Sequence, residues 1–595
     1  MVARPSNTQG NATEEQRRDA NTSTMAQYMS ESEIDSGRRK YDVQLHHQQF
    51  GPLGAAKLQF GGNGSAYLNF SAALPAAFVE RSQIDLLRAV TDDGTTFSLC
   101  VCKVTGPILS VDYVIEADLP AAQFNSISVR YSEVSEWFLH WQNVEWGVGK
   151  TLTWTQIPQG VDVTVKTEDE HFQLRSEIVT SSRKQGEDLV LHEHVEFIFS
   201  AKDQRFGPQD LKLKTLEFSC LLSILLGYPA TVTNVAASHG TDDRFYRVHF
   251  PSFERPERDR DDASFWIRCF IQQPALEGRW QFILDQYYQS RYRKVCWVRL
   301  AGMQRYDDFW EYKVLGYVSL LDSYLSIRFK GKKKSTPESP SARRLARFQR
   351  DVAKELPTLA ESQLEKIAFI ADRSFAVDGA NFGDKYRLAI AATNRDIVKI
   401  IALSDKDFAR IKKIRNKIAH GDDHGLRDGE FTAVIQTEAK ITLLLTYWAF
   451  LDFGLTTQDF IKCLNQTHSK LRFVAALDTL HLSRVSGSAE FFPVTMEKLR
   501  CLRGIKGVRS FACCILEESG ELNYSEVLTK VYKAWFDDRS RASGVIDAEI
   551  IFGVGKDGAR VVGHGYFECG DERLEVHQMW IVKRSALPDG SGKPG

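Results

Sequence analysis

The period of the hydrophobic pattern changes along this chain, from two residues in its first part to about 3.6 residues further on, and no other feature constrains the fold as much. Short alternating or β-branched runs come first, separated by Gly, Asp and Asn turns: AKLQF, SAYLNF, TFSLCVCKV, NSISVRYSEV, GVDVTVKT and LVLHEHVEFIF. Such runs are typical of antiparallel strands. They predict a β-rich, sandwich-like N-terminal domain over residues 41–330, with another strand in RFYRVHF and helical additions in LKLKTLEFSCLLSILLGY and LEGRWQFILDQYYQSRYRKV.

Helical periodicity dominates beyond Ala342. It runs through RRLARFQRDVAKEL, ESQLEKIAFIADRSF, KYRLAIAATNRDIVKII, DKDFARIKKIRNKIAH and FTAVIQTEAKITLLLTYWAFLDF. Five such runs within about 115 residues predict an all-α helical bundle over residues 345–471. Residues 331–344, just before it, combine a basic run with Pro and Ser, which is typical of an exposed linker.

The last part of the chain, residues 472–595, returns to a mixed pattern. SFACCILEE indicates a strand, YSEVLTKVYKAWF a helix, and DAEIIFGV, RVVGHGYFE and LEVHQMWIV further strands, so a small C-terminal α+β domain of unknown role is predicted. Residues 1–40 are polar and have too little apolar surface to fold, which predicts a disordered tail. The predicted fold class of the whole chain is multidomain α+β.

Composition narrows the functional classes. The net charge of −1 gives no general attraction to nucleic acid, so an RNA site must be a local basic patch. No apolar run reaches the roughly 18 residues that cross a bilayer, and the N-terminus lacks the apolar core of a secretory signal, so we expect a cytoplasmic protein with no membrane partner. The ten cysteines lack paired CxxC spacing, and no nucleotide motif has its required context. No metal site and no cofactor are predicted.

One short stretch carries the chemistry of a candidate site. RNKIAH, residues 415–420, joins the permanent cation of Arg415 to the titratable imidazole of His420. An arginine can hold a phosphate through its planar donors, while a histidine can move a proton near neutral pH. Spacing alone is weak support, because the pairs Arg244/His249 and Arg39/His46 have a similar spacing in this same chain.

The helical setting distinguishes the Arg415 pair from the other two. Its helix has an apolar stripe and acidic residues near its N-terminus, where the helix dipole favours them: Phe408, Ile411, Ile414 and Ile418, with Asp405 and Asp407. At about 100° per residue, Asn416 and His420 lie on the side away from the stripe and Arg415 lies near its edge. The same helix carries a candidate RNA-binding patch, although charge alone favours a solvated helix face: Arg410, Lys412, Lys413 and Lys417.

RNKIAHGD, followed by a long apolar helix, resembles the signature of the HEPN superfamily of metal-independent ribonucleases. A β-rich N-terminal region before such a bundle is similar to the arrangement in ApeA-like anti-phage proteins. The resemblance implies a homodimer whose two HEPN bundles bring both Arg/His pairs to one cleft. It also implies an endoribonuclease of an abortive-infection system, with a phage-derived trigger acting at the N-terminal domain and with tRNA or mRNA as its substrate.

The resemblance also implies a role for each motif residue. His420 would act as general base or acid, Arg415 would stabilise the phosphorane, and Asn416 would orient the phosphate or the imidazole. Because Arg415 and His420 lie about 140° apart around one helix, their convergence on a phosphate is easier if a second chain contributes.

Two other interpretations stay open. The bundle can be a non-catalytic RNA-binding or protein-docking module, beside a β domain that binds a ligand. Separately, His192 and His194 share one strand face and can each offer a metal ligand, but with no third ligand in view a satisfied or exposed strand pair is the favoured interpretation.

Overall fold

The computed structural model of the chain describes residues 38–587, apart from 63, 72–77, 79, 81–82, 106–107, 146–152, 241–243, 253–264, 307–308, 331–346, 349, 353, 357–359, 376–380, 428 and 539–546. The predicted linker and nearly all of the predicted tail lie outside the described residues. The chain divides into two compact units. The first consists of Met1–Asn394 and Leu403–Ala476, and the second of Arg395–Ala402 and Leu477–Gly595.

A twelve-stranded antiparallel sheet dominates the first unit. Its strands and a separate β8–β9 hairpin are β1 (Arg39–His47), β2 (Gly51–Phe60), β3 (Ala66–Phe70), β4 (Ile84–Thr91), β5 (Thr96–Thr105), β6 (Ile108–Ile115), β7 (Ser126–Tyr131), β8 (Asn143–Glu145), β9 (Thr153–Gln156), β10 (Asp162–Lys166), β11 (His171–Gln185), β12 (Asp188–Ala201), β13 (Val232–Ser238) and β14 (Phe245–His249). The predicted β-rich domain is confirmed.

The first six strands close into a barrel. The sheet runs β6-β3-β2-β1-β4-β5, and β5 pairs in turn with β6, so both edges of this part of the sheet are used. One apolar core fills the barrel, with Leu58, Leu68, Leu87 and Leu99 fully buried. Alternation within each strand predicts such a buried face, but it does not show that β6 pairs with both β3 and β5 to close the barrel.

Helices surround this sheet and form the rest of the first unit. They are α1 (Val134–Leu139), α2 (Pro208–Leu226), α3 (Phe265–Arg268), α4 (Trp280–Gln289), α5 (Val298–Met303), α6 (Trp310–Arg328), α7 (Glu361–Phe375), α8 (Phe382–Ala391), α10 (Asp405–His420), α11 (Phe431–Asp452), α12 (Thr457–Gln466) and α13 (Lys470–Val474), while α9 (Arg395–Ile401) belongs to the second unit. Helix α6 packs against both α10 and α11.

The run KYRLAIAATNRDIVKII is not one helix, as its periodicity predicts, but two. Helix α8 ends at Ala391, and α9 begins at Arg395. The break lies at Thr393, whose hydroxyl donates to Ala389 O and accepts from the Trp448 indole N–H at 3.1 Å. A threonine held by a distant tryptophan ends the helix here, and local periodicity cannot reveal that contact.

Four charged side chains form a buried cluster in the first unit. Lys214 of α2 lies 2.8 Å from Glu170, which precedes β11. Arg293, in a π-helical turn at Arg293–Trp297, contacts Glu170 at 3.1 Å and Glu217 of α2 at 3.4 Å. Burial alone would raise the pKa of Glu170, but Lys214 and Arg293 outweigh it and the pKa is lowered. The cluster therefore holds two cations and two carboxyl groups, and each buried charge is stabilised by neighbours of opposite charge.

The second unit contains both helices and strands, which confirms the α+β class predicted for the last part of the chain. Its further elements are α14 (Thr479–Ser486), α15 (Met496–Gly504), α16 (Glu526–Asp537), α17 (Ala548–Phe552), β15 (Glu490–Pro493), β16 (Ala512–Leu516), β17 (Leu522–Tyr524), β18 (Ala559–Val562), β19 (Gly565–Cys569), β20 (Glu572–Val576) and β21 (Met579–Lys583). Two small sheets are ordered β15-β19-β20 and β17-β16-β21-β18.

The strand predicted in DAEIIFGV is wrong, because this segment forms α17. The Asp547 carboxylate accepts the Glu549 N–H at 3.0 Å, and Gly553 ends the helix with a φ of +69°. Ile551 is buried, whereas Ile550 is exposed. A helix this short has only one buried turn, so the spacing of its apolar residues does not distinguish it from a strand. Among the described residues, no helix is long and apolar enough to cross a membrane.

Candidate active site at the end of helix α10

Both ends of α10 are set by local capping. The Ser404 hydroxyl accepts the Asp407 N–H at 3.1 Å, and Gly421 ends the helix in the left-handed region with a φ of +74°. The predicted apolar stripe is buried at Phe408, Ile411 and Ile414 and half-buried at Ile418. The opposite side, with Asn416 and His420, is therefore left facing solvent.

Arg415 is held by an acidic residue from a distant part of the sequence. Its Nη2 donates to Asp322 Oδ2 of α6 at 3.2 Å, and its Nη1 donates to Asn416 Oδ1 at 3.0 Å. The side chains of Arg415 and Asp322 are 22% and 35% exposed. Two of the five guanidinium donors are thus directed by protein groups, and the plane of the cation is fixed beside α6.

His420 is the last residue of α10 and its side chain is exposed. Within the described part of the chain it makes no hydrogen bond and no ion pair, while Arg415 contacts Asp322 and Asn416 instead of His420. A single chain therefore presents a fixed cation and a free imidazole on different sides of one helix. The prediction that two chains share the site follows from this separation and stays a prediction.

Two of the predicted RNA-binding cations are engaged by the segment that follows the helix. Arg410 Nη2 lies 2.8 Å from Glu430 Oε1. Lys417 Nζ donates to the backbone carbonyl of Asp423 at 2.9 Å. These contacts place Asp423 and Glu430 beside α10. The charge of the patch is consequently smaller than the sequence of the helix suggests.

The other two cations are more available. Lys412 is half-buried, with its Nζ 5.9 Å from the centre of the Phe382 ring, and Lys413 is exposed. Asp422, directly after the helix, is exposed as well. His420 therefore lies between the exposed Lys413, about two turns before it, and the exposed Asp422, two residues after it.

Asp322 is the site residue that the sequence pattern does not indicate. It lies 93 residues before Arg415, within the predicted N-terminal domain. One local signal was present, because Asp322 is the only charged residue between Lys313 and Arg328 in the apolar run of α6. An isolated carboxylate on a packed helix requires a partner, and Arg415 supplies it.

Within the described ranges, the histidine pair on β12 belongs to no group of three potential metal ligands. His194 is buried and its Nε2 lies 3.1 Å from Glu196 Oε1, whose other oxygen accepts from the Ser128 hydroxyl at 2.7 Å. His192 is exposed. This arrangement fits the favoured prediction of a satisfied strand pair.

Most of the barrel, the second half of the sheet and the helices from α1 into α4 form the part of the chain that matches a known family. Residues 54–287 match ApeA N-terminal domain 1. The ApeA match begins in β2 and ends in α4, so it includes neither Asp322 nor the Arg415–His420 segment. No curated protein and no solved structure matches the chain. The predicted similarity to ApeA-like proteins is therefore supported over the N-terminal region alone.

Proposed function

We propose that the chain is a metal-independent endoribonuclease of an anti-phage, abortive-infection system. The match to ApeA N-terminal domain 1 supports the defence part of this proposal. The observation that carries the ribonuclease part is the pairing of a fixed guanidinium, Arg415 held by Asp322, with the exposed, unpartnered imidazole of His420 on the same helix.

In the proposed reaction the RNA supplies its own nucleophile. His420 takes the proton of the 2′-hydroxyl or gives one to the leaving oxygen, and Arg415 stabilises the charge that builds up on the phosphorus oxygens. Asn416, already hydrogen-bonded to Arg415, orients the phosphate or the imidazole. No step requires a metal ion, because the attacking group is activated by the histidine.

A homodimer completes the site in this proposal. His420 is exposed at the end of α10, and Arg415 is directed towards α6, so one chain does not aim both groups at the same phosphate. Two chains that pack through their helical bundles would place the imidazole of one near the guanidinium of the other. Lys412 and Lys413 lie about two turns before this end and would contact the RNA backbone on either side.

The purified full chain should cut RNA and leave DNA of the same sequence intact, because only RNA has the 2′-hydroxyl. Cleavage should be unchanged by EDTA. The measurement is the fragment pattern of end-labelled RNA and DNA on a denaturing gel, with a cyclic phosphate expected at the new 3′ ends. DNA cleavage, or RNA cleavage that EDTA abolishes, would contradict the mechanism. If the protein needs a trigger to become active, growth arrest and RNA loss are measured in phage-infected cells that express it.

The rival function, a non-catalytic RNA-binding or docking module, is favoured by one observation: Arg415 already satisfies Asp322 and has a structural reason to be present. Arg415→Lys keeps the positive charge but loses the planar fork of donors, and His420→Gln keeps a polar group but cannot transfer a proton. A catalyst should lose cleavage in both variants while a binding module keeps its RNA affinity. If both variants bind RNA with wild-type affinity and also cleave it at the wild-type rate, these residues take no part in catalysis.

A further inference from the structure

The hairpin of β19 and β20 in the second unit places four polar side chains on one face. The two strands are antiparallel, with Gly565 opposite Val576 and Tyr566 opposite Glu575. Continuing this register by one residue puts His564 opposite His577. Since side chains alternate along a strand, His564 and Tyr566 share a face with Glu575 and His577.

Three potential metal ligands lie close together on this face. His564 Nε2 lies 2.7 Å from Glu575 Oε1, and the rings of His564 and His577 stack at 5.6 Å with an angle of 17°. One ring nitrogen of each histidine and one carboxylate oxygen of Glu575 all lie within 4.8 Å of one another. In the described part of the chain this is the one group of three or more such residues that meets that spacing.

We propose that His564, Glu575 and His577 bind one divalent transition-metal ion of the zinc class, with a remaining position open to water. Two imidazoles and one carboxylate suit zinc, whereas magnesium and calcium prefer oxygen ligands alone. Metal–ligand bonds of about 2.0 to 2.2 Å require the three side chains to turn towards a shared ion, and His564 leaves its hydrogen bond to Glu575 in doing so. The side chains of His564 and Glu575 are 29% and 44% exposed, so the ion can enter from solvent.

Neighbouring groups hold these ligands in place. The Tyr566 hydroxyl donates to Glu575 Oε1 at 3.1 Å, and its ring stacks on Phe491 of β15 at 5.0 Å. The backbone N–H of His577 donates to Arg509 O at 2.9 Å, and the carbonyl of His564 accepts from Glu490 N–H at 3.0 Å. Such outer contacts orient ligands and raise the affinity of a metal site.

A histidine–carboxylate hydrogen bond without any ion is the competing explanation, and the second unit contains a matched case. His481 Nε2 lies 3.0 Å from Asp396 Oδ1, and this pair belongs to no group of three or more potential metal ligands among the residues that the structure describes. The third ligand, His577, is therefore the residue that separates a metal site from an ordinary polar pair.

The test uses the full chain, stripped with EDTA, dialysed free of metal and titrated with Zn²⁺ at neutral pH. Bound zinc is measured by equilibrium dialysis with elemental analysis, and Co²⁺ substitution is followed by visible absorption. The wild type should bind one zinc per chain at micromolar concentration and gain thermal stability. Tyr566→Phe should weaken binding by about 10- to 100-fold, since it removes one outer contact and keeps the ring. Both His577→Ala and His564→Ala should abolish binding at one equivalent.

His481→Gln is the control and should bind zinc as the wild type does. The proposal is overturned if no zinc binds, if Mg²⁺ competes equally, or if His577→Ala, an exposed position that should not disturb folding, binds zinc unchanged. The site is independent of the proposed ribonuclease, so His577→Ala should leave RNA cleavage at the wild-type level.

Discussion

Replacing His420 with alanine should lower RNA cleavage by about 10² to 10⁴, because the chain loses the imidazole that transfers the proton in the proposed reaction. This corresponds to about 3 to 5 kcal/mol of transition-state stabilisation. The fold should survive, since the His420 side chain is exposed and holds no other described residue. The measurement is the initial rate on labelled RNA, with thermal unfolding recorded on the same preparation.

His46→Ala is the matched control for that variant. His46 is also exposed and also follows an arginine at a short spacing, but it lies on strand β1 of the barrel and not on a helix. Its replacement should leave the rate unchanged. A His420→Ala chain that cuts RNA as fast as the wild type would end the proposed mechanism, and an equal loss in both variants would show that the effect is not specific to the α10 site.

Arg293→Met should lower the free energy of unfolding by about 3 to 5 kcal/mol, the typical cost of removing one partner from a buried ion pair. Arg293 is 6% exposed and contacts both Glu170 and Glu217, so its loss leaves two buried carboxyl groups with Lys214 as the one remaining cation of the cluster. Methionine fills a similar volume, which separates the electrostatic loss from a cavity effect. Urea unfolding followed by tryptophan fluorescence measures the change.

Arg88→Met provides the comparison for this second variant. Arg88 and Asp118 form an ion pair at 2.7 Å whose side chains are 47% and 49% exposed, so its loss should cost no more than about 1 kcal/mol. The difference in the free energy of unfolding between wild type and Arg293→Met should also become smaller in acid. The folded-state pKa of Glu170 is lowered, so its stabilisation is complete above the unfolded pKa and is lost as the pH falls through the folded one. Equal effects of the two substitutions would mean that desolvation cancels the attraction within the buried cluster.

Local signals explain which elements the sequence predicts well. Helix α10 occupies Asp405–His420, the predicted run, because Ser404 caps its first turn and Gly421 stops it. In DAEIIFGV, Asp547 and Gly553 cap a helix in the same way. The prediction failed there because the apolar residues between the two caps resemble those of a strand. Caps mark ends reliably, whereas periodicity needs more than one or two turns to show which structure lies between them.

Contacts between distant residues set the limit of sequence reasoning. The closure of the barrel depends on β6 pairing with both β3 and β5, and the orientation of Arg415 depends on Asp322, 93 residues away. The three candidate metal ligands follow no familiar ligand spacing in the sequence, since only the register of β19 and β20 brings them together. The residue types and their order do not show that these three ligands lie close together unless the strand pairing is known.

The second unit is assembled from two separate pieces of the chain, because α9 contributes to it from between α8 and α10. Its Asp396 carboxylate contacts His481, and the Ile400 carbonyl accepts the Asp478 N–H. The unit therefore cannot be exchanged between related genes as one terminal cassette. A recombination joint at residue 476 would pair a foreign C-terminal segment with the resident α9, so a working hybrid has to carry residues 395–402 along with it.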